Sequence, residues 1–197
     1  MNTLKAEKRS MDVKAKKLRR EGFVTGNLFG REIEGSIPLK FTKKEIEALL
    51  KNNNKGSQVM LELDGKTYDA LIKEVDYNPL AHTVEEVDFQ ALVSNEMVHS
   101  TAEIILENEE KVMSGVLQDE LKEVAYKALP ADLVDKIKVD VAGMKIGDTL
   151  RVKDLEIAKN KNIHITTDPE AVVATVTPVH NVVPETETEA EETAEEK

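Results

Sequence analysis

The sequence predicts a mostly β chain with a few short helices (α+β), divided into two domains. Three observations carry this. Apolar side chains alternate with polar ones in short runs bounded by Gly, Asp, Asn and Pro, a period of two rather than 3.6. Only two stretches have helical spacing, and both are short. The 197 residues are 40% hydrophobic, enough for two small cores, and with 4% aromatics and no Trp those cores are built from Val, Leu, Ile and Ala.

The elements follow in order. Residues 1–22 form a basic arm: Lys5, Lys8, Arg9, Lys14, Lys16, Lys17, Arg19 and Arg20 outweigh Glu7, Asp12 and Glu21, for +5 in a chain of net charge −11. Met11, Ala15 and Leu18 recur at helical spacing and Gly22 is a stop, so the arm is expected to hold a short amphipathic helix. "FTKKEIEALLK" is a second helix, with Thr42 and Glu45 as a capping box and Ile46, Leu49 and Leu50 on one face. In "VMLELDGKTYDALI", Val59, Leu61 and Leu63 alternate up to Asp64-Gly65, a pair suited to positive φ, and Tyr68, Ala70 and Ile72 alternate back, which reads as a hairpin. "TVEEVDFQAL" is a further strand, and residues 1–95 are expected to form a small barrel or curled sheet. After the connector "VSNEMVHS", the runs "TAEIILE", "KIKVDVAGM", "TLRVKDL", "IHITTD" and "AVVATVTPV" predict a second, β domain over 96–180. Residues 181–197 are an acidic tail. From Pro184 onward it has seven Glu, one Lys and no large apolar residue, a composition that predicts disorder.

Nothing in the sequence points to catalysis. There is no Cys, and His82, His99, His164 and His180 do not fall at metal-ligand spacing. The glycine-rich nucleotide-binding fingerprints and the nucleophile elbow are missing. Glu85, Glu86 and Asp88 are the densest acids outside the tail, and they read as outward-facing residues of a strand. No apolar run has the length of a signal peptide or a membrane span, so a soluble cytoplasmic protein is expected. No cofactor, metal or small-molecule substrate is expected. What remains is binding: several cations on one short segment can track a phosphate backbone, and the acidic remainder is expected to face away from them.

Three blocks in this order, "KRSMDVKAKKLRREGFVTGNLFG", "LIKEVDYNPLAHTVEEVDFQAL" and "ALPADLVDKIKVDVAGMKIGDTLRVKDL", resemble the bacterial large-subunit ribosomal proteins that bind 5S rRNA, in their two-domain form known as general stress protein Ctc. The resemblance runs over residues 5–180. It implies an N-terminal six-stranded β-barrel on 5S rRNA and a C-terminal β domain. The family's basic block resembles Lys17-Leu18-Arg19-Arg20-Glu21-Gly22, and its upstream basic position resembles Arg9. These imply the rRNA contacts Arg9, Lys17, Arg19 and Arg20, which Lys14 and Lys16 join by charge. Phe29 stands where the family commonly has Tyr, Asp76 where it has Gln, and Glu86 where it has His; Asp88 follows in the family's Val-Asp-Phe. Ionised Asp and Glu accept but do not donate, and they repel phosphate.

The reading is therefore a ribosomal protein, not an enzyme, whose partners are 5S rRNA and the 50S subunit and which is a monomer off the ribosome. Asp76 and Glu86 favour a rival: a diverged, non-ribosomal general stress protein that acts through protein–protein contacts.

Overall fold

The computed structural model describes residues 3–112 and 115–178. The acidic tail lies outside these residues. The first domain is a closed barrel of six strands: β1 (Thr3–Lys8), β2 (Phe23–Phe29), β3 (Ser36–Thr42), β4 (Gln58–Leu63), β5 (Lys66–Asn78) and β6 (Thr83–Ala91), in the order β1-β3-β2-β6-β5-β4. A parallel β1–β4 pairing closes it, with Leu4 opposite Leu61. Closure leaves no free edge.

The interior follows the alternation in the sequence. Val24, Leu28, Leu39, Phe41, Val59, Leu61, Ile72, Val87 and Phe89 are buried, with the Phe41 and Phe89 rings 5.4 Å apart and tilted. Gly26 is needed there: a Cβ would come within 2.1 Å of the Val87 carbonyl oxygen and 3.3 Å of the Phe41 ring. The hairpin forms as expected, with Asp64 and Gly65 at φ 50° and 77°. Helix α2 (Lys43–Leu50) carries its capping box, and Ile46 and Leu49 plug the barrel.

The arm is not one helix. It begins as barrel strand β1, in which Leu4 and Ala6 point inward, and only Ala15–Arg20 form helix α1. Leu18 is buried, whereas Met11 is 73% exposed and takes no part in the apolar face.

The second domain has two sheets. One is β10 (Lys136–Asp140), β7 (Val98–Glu107), β9 (Glu123–Ala128) and β12 (His164–Ile165), in that order. The other is β11 (Thr149–Arg151), β13 (Val172–Thr177) and β8 (Val116–Asp119). The core between them contains Ala102, Val124, Tyr126, Val152, Leu155 and Val173. The Tyr126 hydroxyl donates to the Val134 carbonyl at 2.6 Å and accepts from the Val134 N–H at 2.8 Å, so its polar end is satisfied. Strands β8 and β9 were not among the predicted runs.

The domains touch along a polar seam. Asn54 donates to Glu103 at 2.5 Å, Lys55 pairs with Glu123 at 3.6 Å, and Lys73 donates to the His99 carbonyl at 2.8 Å. Gly56, at φ 89°, lies against β7 so closely that a Cβ would sit 1.9 Å from the Thr101 carbonyl oxygen.

Candidate nucleic-acid interface

Two β-bulges shape the region. Between β5 and β6, Ile72 faces Phe89 while Glu74 faces Asp88, so Lys73 is an extra residue on β5. Asp76 faces Glu86 while Tyr77 faces Val84, so Glu85 is an extra residue on β6. A bulge re-aims its side chain. Lys73 turns to the second domain, and Glu85 turns to the arm.

Helix α1 packs on β2 through Leu18 and presents Lys16, Lys17 and Arg20 to solvent, as its N-cap does Lys14. Among the described residues Lys14, Lys16 and Arg20 have no ion-pair partner, and Lys17 meets Glu21 only at 3.9 Å. Lys17, Arg19 and Arg20 fall in the last turn, where the helix dipole favours cations.

The other two expected contacts do different work. Arg9 donates from Nη2 to the Val13 carbonyl at 3.1 Å and its Nε is buried without a partner, so it braces the turn into α1. Arg19 lies across β6. Its Nη1 meets Glu85 at 2.6 Å, its Nε donates to the Glu85 carbonyl at 3.2 Å, and its Nη2 reaches Glu86 at 3.5 Å. The acidic residues therefore do not all face away from the arm: two of them hold one of its arginines. Asn78 completes the anchor, donating to the second Glu85 oxygen at 2.7 Å.

Next to Arg19 the outer barrel face is acidic. Asp76 and Glu86 are direct cross-strand partners, as are Glu74 and Asp88, and these four carboxylates line one shallow depression. Like charges directly opposite are destabilising. Asn27 on β2 offsets part of the cost, because its backbone and side-chain N–H groups both donate to Asp88 at 3.0 Å and its side chain also reaches Glu86 at 3.3 Å. Phe29 follows Asn27 on the same outward row, beside Gln90, at the end of β2 away from α1. The structure thus joins Arg19, Asp76, Glu86 and Asp88 into one face, sets Lys14, Lys16, Lys17 and Arg20 along its flank, and leaves Arg9 and Phe29 at its margins. The sequence reading did not single out Asn27, Glu74 or Asn78, whose proximity depends on strand register.

Among the described residues no group of acids and histidines could hold a metal ion, and no helix is long and apolar enough to cross a membrane.

Comparison with known proteins covers both halves. Residues 4–89 match the ribosomal L25p family, and residues 97–180 match the C-terminal domain of ribosomal protein TL5. The large ribosomal subunit protein bL25 of Carboxydothermus hydrogenoformans is 32% identical over 190 residues, covering 92% of this chain and 94% of that one. That of Caldanaerobacter subterraneus subsp. tengcongensis is 30% identical over 196 residues, 98% of each chain. That of Bacillus velezensis is 31% identical over 183 residues, covering 90% and 89%. With a barrel and a second β domain each matched in place, and relatives aligned almost from end to end, the chain belongs to the family of bacterial large ribosomal subunit protein bL25, in its two-domain form.

Proposed function

We propose that this protein binds 5S rRNA within the 50S subunit through α1 and the adjoining outer face of the barrel. As a member of its family it is a structural component of the large subunit and not an enzyme. The observation that carries the RNA reading is the set of solvent-facing cations Lys14, Lys16, Lys17 and Arg20, on a helix and its N-cap that are fixed to the barrel through Leu18. Cations held this way neutralise phosphates and release counterions without first having to be ordered. Arg20 can also contact phosphate through two N–H groups at once.

The carboxylates beside α1 restrict the geometry. A phosphate chain following α1 is attracted along one flank and repelled by Glu74, Asp76, Glu86 and Asp88 on the other. Asn27 and Gln90 supply neutral amides at that border, and Phe29 offers a half-exposed ring on which a base can stack. Residues 1–95 are the RNA-binding unit in this reading, since a closed barrel has no edge that needs the second domain. The protein is a monomer off the ribosome and works on the ribosome in the cytoplasm, and no cofactor takes part. The relatives named above are all ribosomal, and none favours the stress-protein alternative.

The test is filter binding of the full chain to 5S rRNA, with a transfer RNA as competitor at equal nucleotide concentration. Specific retention of 5S rRNA supports the reading; equal retention of both RNAs contradicts it.

A further inference from the structure

The outer face of the first sheet in the second domain is charged in an ordered way. His99 on β7 is the direct partner of Lys127 on β9, and Lys127 is the direct partner of His164 on β12. All three side chains are exposed. Lys73, turned by its bulge, comes over from the barrel and donates to the His99 carbonyl at 2.8 Å. The result is a band of four basic groups across three strands and the domain seam, about 10 Å across the strands alone.

Acids at the other end of the same face do not neutralise it. Glu103 and Glu123 are opposite one another there, held by Asn54 and Lys55. Among the described residues, none of Lys73, His99, Lys127 and His164 has an acidic partner within ion-pair distance. Beneath the band is a cavity of about 270 Å³, with Lys55, Lys73, His99 and Thr101 in its wall and Glu74 as its one acid.

The two lysines carry the fixed charge of this band, and among the described residues no acid is paired with them, although the chain as a whole has a net charge of −11. Desolvation, then Lys127 and Lys73, hold the His99 imidazole below its ordinary value. Burial, then Lys55, lowers Lys73. In each case neighbouring lysines add to the effect of desolvation, and either protonation state of His offers an N–H donor.

We propose that Lys73, His99, Lys127 and His164 form a second phosphodiester-binding surface, separate from α1, that takes the backbone of an RNA chain at the seam between the domains. It rests on the reading of this protein as an RNA binder, but not on 5S rRNA being the RNA. A band three strands wide is longer than a single phosphate group, which favours a chain over a free anion.

The test follows the His99 and His164 imidazole signals by NMR in the full chain. The probes are a short RNA duplex unrelated to 5S rRNA and, separately, inorganic phosphate at the same concentration of phosphate groups. The duplex should move both signals, and it should still do so in the variant with Lys14, Lys16, Lys17 and Arg20 replaced by Ala. Lys127→Glu with His164→Glu should weaken the His99 response to the duplex by about tenfold or more at low salt. Lys127→Gln with His164→Gln, a milder change at two exposed positions, should weaken it less. Signals that ignore the duplex overturn the proposal, as does an equal response to inorganic phosphate, which would make this a site for a free anion. Loss of 5S rRNA binding in the α1 variant is read separately, and loss of the one activity leaves the other standing.

Discussion

Replacing Asp76 by Gln and Glu86 by His should strengthen binding to 5S rRNA. The two residues are cross-strand partners on the outer barrel face, so the double change removes one of its two like-charge pairs. It also removes the Arg19–Glu86 pair at 3.5 Å and the Asn27–Glu86 hydrogen bond at 3.3 Å, but the shorter contacts beside them remain. Arg19 retains Glu85 at 2.6 Å, and Asn27 retains Asp88 at 3.0 Å. A phosphate about 7 Å from a carboxylate is repelled by about 0.6 kcal/mol at the dielectric of water and about 2.4 kcal/mol at an effective value of 20. Surface carboxylates sit toward the lower figure, so two of them contribute about 1–2 kcal/mol. That is a gain of about five- to thirtyfold in affinity. Filter-binding titration at several salt concentrations measures it, and the gain should shrink as salt rises. Thermal stability should change little, because the relief of one like-charge pair is offset by loss of the Arg19–Glu86 pair and the Asn27–Glu86 hydrogen bond. If affinity does not change while the α1 variant binds weakly, RNA does not cross this face and the assignment of Asp76 and Glu86 to the interface is wrong.

Other substitutions separate support from contact. Arg19→Ala should lower stability by about 1 kcal/mol through loss of the Glu85 anchor, while Arg20→Ala should leave the melting temperature unchanged and weaken RNA binding; the opposite pattern in thermal melts and titrations would reverse their roles. Gly56→Ala should destabilise the chain by about 2 kcal/mol or more, since a Cβ there is strained at φ 89° and meets the Thr101 carbonyl oxygen at 1.9 Å; an unchanged melting curve would mean the seam yields freely. Deleting residues 184–197 removes a net charge of −6 and should tighten RNA binding at low salt with little change in melting temperature; a clear drop in that temperature would show the tail is docked.

How far the sequence could be read depended on whether a signal was local. The Asp64-Gly65 hairpin and the Thr42–Glu45 capping box each lie within a few residues, and both form as expected. Strand β1 was hidden because Lys5, Glu7 and Lys8 gave its segment the look of a charged arm, although Leu4 and Ala6 alternate properly within it. Strand β9, "EVAYKA", was missed because it is short and its three inward positions, Val124, Tyr126 and Ala128, alternate with Glu123, Ala125 and Lys127, so only two large apolar side chains mark it. The six-stranded closure came from the family resemblance, since nothing local specifies β1 beside β4. The site was legible only in part. The basic block showed the cations, but Arg19 and Glu85 are 66 residues apart, and only the bulge in β6 brings them together. For the same reason composition could not show that some of the acids would lie against the arm.

In the proposed complex Lys14, Lys16, Lys17 and Arg20, on α1 and its N-cap, are the phosphate contacts to 5S rRNA. The salt dependence of 5S rRNA binding tests it most directly, comparing the native chain with the variant carrying Ala at all four positions. If each cation neutralises one phosphate, the log–log slope should flatten by about three to four in the variant, with its fold intact by circular dichroism. An unchanged slope and unchanged affinity would contradict the account and place the RNA elsewhere on the protein.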